Sequence, residues 1–240
     1  MKQHKSPAAA WMCATTLLLA ACAATEPPPR WQVDAANASE RFVEAWLVGD
    51  RRVEQVEFDR ARERVARTGR ADLVARIELL RCAARIATLM IESCTGYNLL
   101  KDALATGAES AYADYLAGML SPTESARIAL LPAAQRAVAA LAIAPGATEN
   151  ASTDIALASI EDPLSQLVAA GVLLRTGRAT DGVIAQAVNS ASQQGWRRAL
   201  LAWLTLQKQR AEAAGDAPEA QRAQRRIELI APQKPPVERR

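Results

Sequence analysis

Histidine is nearly missing from this 240-residue chain: its one imidazole is His4. Beyond it nothing can form a Ser-His-Asp or Cys-His pair, and there is no ligand for a histidine-bound metal. Lysine is almost as scarce, with only Lys101, Lys208 and Lys234 after Lys5, which argues against Schiff-base and Ser/Lys chemistry. Gly-x-Ser-x-Gly, Ser-x-x-Lys, Cys-x-x-Cys and the phosphate-binding Gly-x-x-x-x-Gly-Lys do not occur. No metal, no cofactor and no catalytic group is therefore expected, and the chain reads as a non-enzyme. Aromatic residues make up 4% of the chain, so any core must be built from Ala, Leu, Val and Ile. The charge excess is small. Lys2 and Lys5 lie in the first five residues, which leaves 27 of the 29 basic residues against 26 acidic ones in the rest of the chain. That balance does not suit nucleic acid.

Alanine is abundant, roughly a fifth of the chain, and it is the best helix former. Apolar residues recur at helical spacing, and no segment alternates like a half-buried strand. The expected fold class is all-α, with antiparallel helical hairpins arranged as a solenoid or an irregular bundle. A first helix is expected from about Ala35 to Val48, stopping at Gly49. A second is expected from about Arg51 to Thr68, stopping at Gly69, with Val53, Val56, Ala61 and Val65 as its apolar line, and a third starts at Asp72. Ser121-Pro122-Thr123-Glu124 combines an N-cap serine, a first-turn proline and the returning glutamate of a capping box. Asp162-Pro163, Thr180-Asp181 and Asp216 with Glu219 start further helices, and Gly177, Gly195 and Gly215 end the ones before them.

The N-terminus has its own pattern. A basic start, Met1 to Lys5, precedes an apolar run from Ala8 to Ala21 of about 14 residues, within the length of a secretory h-region and short of the ~20 needed to span a bilayer. It closes on Leu19-Ala20-Ala21-Cys22. This resembles the lipobox of bacterial lipoproteins: a branched apolar residue, two small ones, then a cysteine. The resemblance implies lipidation of Cys22, by diacylglycerol and a further acyl chain such as palmitate, and removal of residues 1–21. Two or more chains anchor stably. Cleavage as an ordinary signal, after an Ala-x-Ala, is the alternative reading. Ala23 follows the cysteine where aspartate would mark inner-membrane retention, so the resemblance points to the outer membrane, facing the periplasm. Residues 22–30 form a proline-rich tether, residues 31–231 the helical domain with a subdivision near 145–150, and residues 232–240 a loose tail. The hairpin spacing from Asp162 onward also resembles tetratricopeptide-like envelope lipoproteins, in architecture only, because that family's residue pattern is not present in order.

Export to an oxidising compartment makes Cys82 and Cys94 a candidate disulfide. One straight helix would hold them ~18 Å apart, beyond the ~7 Å limit for Cα atoms. A bond therefore requires the helix to end near Leu89 or Met90 and the chain to double back. Tyr112 and Tyr115 share a helix face and could floor a partner-binding groove, or form a core edge with wet hydroxyls. The expected function is a membrane-anchored scaffold that binds an envelope protein. The alternatives are a carboxylate-dependent wall enzyme, for which Glu57 with Asp59 or Glu161 with Asp162 are the candidate pairs, and a small-ligand or lipid carrier. Arginines from Arg41 to Arg85 are interleaved with Glu and Asp. They read either as solvated, paired helix faces or as an electrostatic contact surface.

Overall fold

The computed structural model describes residues 27–104, 107–144 and 150–231. Cys22, the preceding leader and the tail from Pro232 onward lie outside the described residues, as does the 145–149 part of the expected subdivision. Among the described residues all regular structure is helical, and no helix is long and apolar enough to cross a membrane.

The chain forms α1 (Arg30–Val48), α2 (Arg51–Ala66), α3 (Ala71–Ala87), the one-turn α4 (Thr95–Asn98), α5 (Gly107–Leu116), α6 (Ala133–Ile143), α7 (Asn150–Ala158), α8 (Pro163–Arg175), α9 (Asp181–Gln193), α10 (Arg197–Ala213) and α11 (Ala217–Ile230). Helix α1 begins at Arg30, five residues before the expected start, because Pro29 supplies the extended N-cap directly. Trp31 is thus helical and packs half-buried against the core. Asp50 accepts from the Arg52 and Val53 N–H groups at 3.1 and 3.0 Å, Asp162 from Ser165 at 2.7 Å, Thr180 from Val183 at 2.9 Å and Asp216 from Glu219 at 3.0 Å. Each satisfies an amide that an N-terminal turn leaves open.

The segment Pro122–Leu130 departs from expectation. Its box forms, with Glu124 Oε2 accepting from the Ser121 N–H at 3.3 Å and hydroxyl at 3.0 Å. The turn nevertheless winds as a kinked 3-10 helix, with Glu124 at φ −103°. Leu131 is extended and Pro132 then starts α6.

Helix α2 corrects the sequence reading. Val53 and Val56 are exposed, and the buried stripe is Glu54, Glu57, Phe58, Ala61 and Val65. The helical period outranks residue polarity here because arginines neutralise both glutamates. Arg81 grips Glu54 at 2.7 and 3.2 Å, while Arg41 and Arg60 bind Glu57 at 2.9 and 2.6 Å.

Helix α3 is the central element and packs on α1, α2, α4, α5 and α8, while α1 also reaches α10. Two indoles pin the C-terminal turn of α3: Trp46 donates to the Ala84 carbonyl at 3.0 Å and Trp203 to that of Ala87 at 2.9 Å. Carbonyls that a helix end leaves open are thereby used to join α1, α3 and α10. In a solenoid each repeat touches only its neighbours. The α1–α10 and α3–α8 contacts link elements far apart in the chain, so the molecule is an irregular bundle.

Candidate functional site

Leu79 and Leu80 on α3 face Tyr112 on α5 and the Leu130-Leu131-Pro132 corner before α6. Together they wall an apolar groove of about 450 Å³. The corner exists because the 3-10 turn and Pro132 redirect the chain there. Leu131 is buried and anchors it, while neighbouring Leu130 stays 46% exposed. Arg76 sits at one edge and donates to the buried Glu109 carboxylate at 2.9 Å. The groove is thus a greasy trough with one ion pair at its lip.

The structure separates the two tyrosines. Their rings stack at 6.2 Å between centroids, but only Tyr112 reaches the groove. Tyr115 is 2% exposed, and its hydroxyl donates to Gln135 Oε1 at 2.7 Å, while Gln135 Nε2 donates to the Ser165 carbonyl at 3.0 Å. This buried relay ties α5, α6 and α8. Of the two, Tyr112 lines the groove, whereas Tyr115 is core, its hydroxyl held by Gln135 of α6. Burial pushes both phenols up, with Asp162 adding to the effect at Tyr112 and Tyr112 to that at Tyr115.

A second cavity, of about 600 Å³ and mixed polarity, lies beside α4 and α5, with Tyr97, Lys101, Asp102, Asp114 and Arg175 in its wall. Asp114 is engaged by Arg127 at 2.6 Å. Arg127 also binds Glu124 at 2.6 Å, and that contact holds the Glu124 carboxyl below its ordinary range, with Ser121 helping. Among the described residues no cluster of carboxylates and cysteines is placed to hold a metal.

No family model, curated protein or solved structure matches this chain.

The remaining candidates take structural positions. Helix α3 ends at Ala87, and Leu89 adopts φ +60°. The Met90 N–H returns to the Arg85 carbonyl at 2.9 Å. The chain therefore doubles back, and Cys82 and Cys94 are joined as a disulfide with Cα atoms 5.6 Å apart. Of the candidate acid–base pairs, Glu57 is held by its two arginines, Asp59 accepts from Gln55 at 2.9 Å, and Asp162 caps α8 beside the exposed Glu161. Neither pair lines the groove or the cavity at Tyr97. Of the groove's lining the sequence pointed to Tyr112 alone, and the leucines around it were not singled out. The other local signal is Leu130-Leu131-Pro132, two leucines directly before a helix-starting proline, of which the turn can bury only one.

Proposed function

We propose that this protein is a bacterial lipoprotein, anchored to the outer membrane through Cys22, whose helical body docks a protein partner of the envelope. The lipobox resemblance supports the address. The observation that carries the docking role is the groove between α3 and α5, whose apolar wall ends in the exposed Leu130. Exposed apolar surface of this kind marks interaction sites. A groove open along one side suits the apolar face of a short helix or loop, which reads as anchors inserted between Leu80 and Tyr112.

The test replaces Leu130 with a photo-crosslinking residue in cells of the source bacterium, beside the same replacement at Ile155, which is 70% exposed on α7. One discrete protein adduct is expected from position 130, none from 155, and loss of that adduct on Leu80→Glu. Equal labelling from both positions would remove the docking role. The anchor is tested separately. Cys22→Ala should move the protein out of the membrane fraction, and co-fractionation with wild type would refute the anchor.

A lipid or small-ligand carrier is the second reading, because the groove volume falls within the ~300–1,000 Å³ common to ligand sites. Native mass spectrometry would favour it if an apolar small molecule co-purified with wild type and not with Leu80→Glu.

A further inference from the structure

Four arginines gather where the α1–α2 turn meets α3 and the start of α10. The guanidinium of Arg198 lies 3.9 Å from the Trp46 ring centroid and that of Arg85 lies 5.3 Å from it. Gly49, which ends α1, keeps the corner open. A Cβ there would come within 3.2 Å of Arg197 Nη2 and 4.0 Å of Arg198 Nε. Arg51 follows on the first turn of α2 and is exposed, as is Arg197.

Of the carboxylates nearby, Glu44 accepts from the Trp196 indole at 2.7 Å and two others are committed to arginines. Glu54 is held by both ends of the Arg81 fork, and Glu92 meets Arg85 through Nη1 alone, at 3.2 Å. Arg198 has no carboxylate within ion-pair distance among the described residues. Three buried side-chain nitrogen or oxygen atoms lack a hydrogen-bond partner among those residues, and two of them are here: Arg85 Nε and Arg198 Nη1. Burial and the charges of Arg51, Arg197 and Arg85 push the Arg198 guanidinium down from its ordinary value, against the opposing pull of Glu54. A cluster of like charges, part-desolvated and short of acceptors, is stabilised by an anion with several oxygens. Guanidinium forks match phosphate in this way, and one carboxylate could not serve three of them. The Trp46 indole carries the Arg198 guanidinium over its ring, which fixes one fork of the cluster beside a fluorescent group.

We propose that the arginine cluster around Trp46 is a binding site for a phosphate-bearing anion. Its source is either a phosphate carried in solution or the headgroup of an anionic phospholipid. Trp46 reports on the site directly.

The test uses the full chain in neutral detergent at constant ionic strength. Tryptophan fluorescence is titrated with inorganic phosphate and with dihexanoylphosphatidylglycerol, against chloride. A saturable change is expected, abolished by Trp46→Phe. Arg198→Gln should bind about tenfold more weakly, the loss of one charged hydrogen-bonding partner. Arg52→Gln, on the same helix as Arg51 but outside the cluster, should leave affinity unchanged. A response to inorganic phosphate assigns the solution source. A response to the phosphatidylglycerol alone assigns the headgroup. Absence of a saturable response to either overturns the proposal, and so does an Arg198→Gln titration that matches wild type while circular dichroism shows both folded.

Discussion

At the scale of single residues, the acidic pair on α2 shows how strongly context governs a charge. Glu54 is buried and its neutralising partner, Arg81, is itself mostly covered, with its guanidinium 4.0 Å from the Phe58 ring centroid. Removing one member of such a pair leaves a charge without water or partner, which costs about 3–5 kcal/mol, whereas replacing both by apolar groups is often neutral or stabilising. Arg81→Met should therefore destabilise by about 3–5 kcal/mol in urea unfolding, and adding Glu54→Leu should restore most of the loss. If the double variant is no better than the single, the pair is not coupled as the geometry implies. The same residues explain what was hard to read. Val53 and Val56 are apolar, and a reading by polarity puts them inside. The period 54, 57, 58, 61, 65 runs instead through two glutamates; Arg60 is a local partner for Glu57, but nothing local announces that Arg81 will arrive from α3 to neutralise Glu54.

At the scale of elements, boundaries were the most legible feature, because caps act locally. Asp50, Asp162, Thr180 and Asp216 each begin a helix by bonding an amide two or three residues on. The turn after Ser121 was half legible: its capping box formed, but the segment stayed 3-10 because the corner at Leu131 and Pro132 constrains it. Contacts between helices leave fainter marks. Gly171, in the middle of α8, permits a close approach to the backbone of α3. A Cβ there would stand 2.7 Å from both Ile86 Cγ2 and the Ile86 carbonyl oxygen, and the carbonyl cannot swing aside. Alanine is favoured over glycine in a helix by ~1 kcal/mol, yet overpacking costs ~1–3 kcal/mol. Gly171→Ala should therefore lower stability, seen as a reduced urea midpoint, and a stabilised variant would contradict the α3–α8 contact. The Cys82–Cys94 link acts on the same central helix, fastening α4 back onto α3. Closing a loop of this length in the unfolded chain contributes roughly 2–4 kcal/mol. Cys82→Ser with Cys94→Ser should lose that amount, and dithiothreitol should then have no further effect on the double variant's melting temperature.

At the scale of the whole molecule, the all-α class followed from composition and period, but the arrangement did not. The packing of α1 on α10 and of α3 on α8 brings together residues more than eighty positions apart, and alanine-rich faces carry little to distinguish one partner from another. The groove depends on that arrangement, so the sequence offered Tyr112 as a possible floor but not the leucines of α3 and of the corner before α6 that wall it. One global property remains open to direct measurement. The chain has three tyrosines, and burial is the first cause raising each phenol, at Tyr97 against an opposing hydrogen bond with Ser110. An unfolded tyrosine ionises near pH ~10. A group whose pKa is raised by folding lends its full stability below that value. The unfolded chain sheds protons first as pH rises, and stability falls from there upward until the folded phenols would themselves ionise. Absorbance of tyrosinate should therefore stay low past pH ~10 and then rise together with the loss of helical circular dichroism, because the phenols ionise by unfolding. Tyr115→Phe should not delay that transition, since it leaves Gln135 Oε1 buried without a donor, a loss of about 1–3 kcal/mol. Tyrosinate appearing near pH ~10 while the helices remain intact would mean that water reaches the phenols in the folded state, and the Tyr115–Gln135–Ser165 relay would not be the closed structure described above.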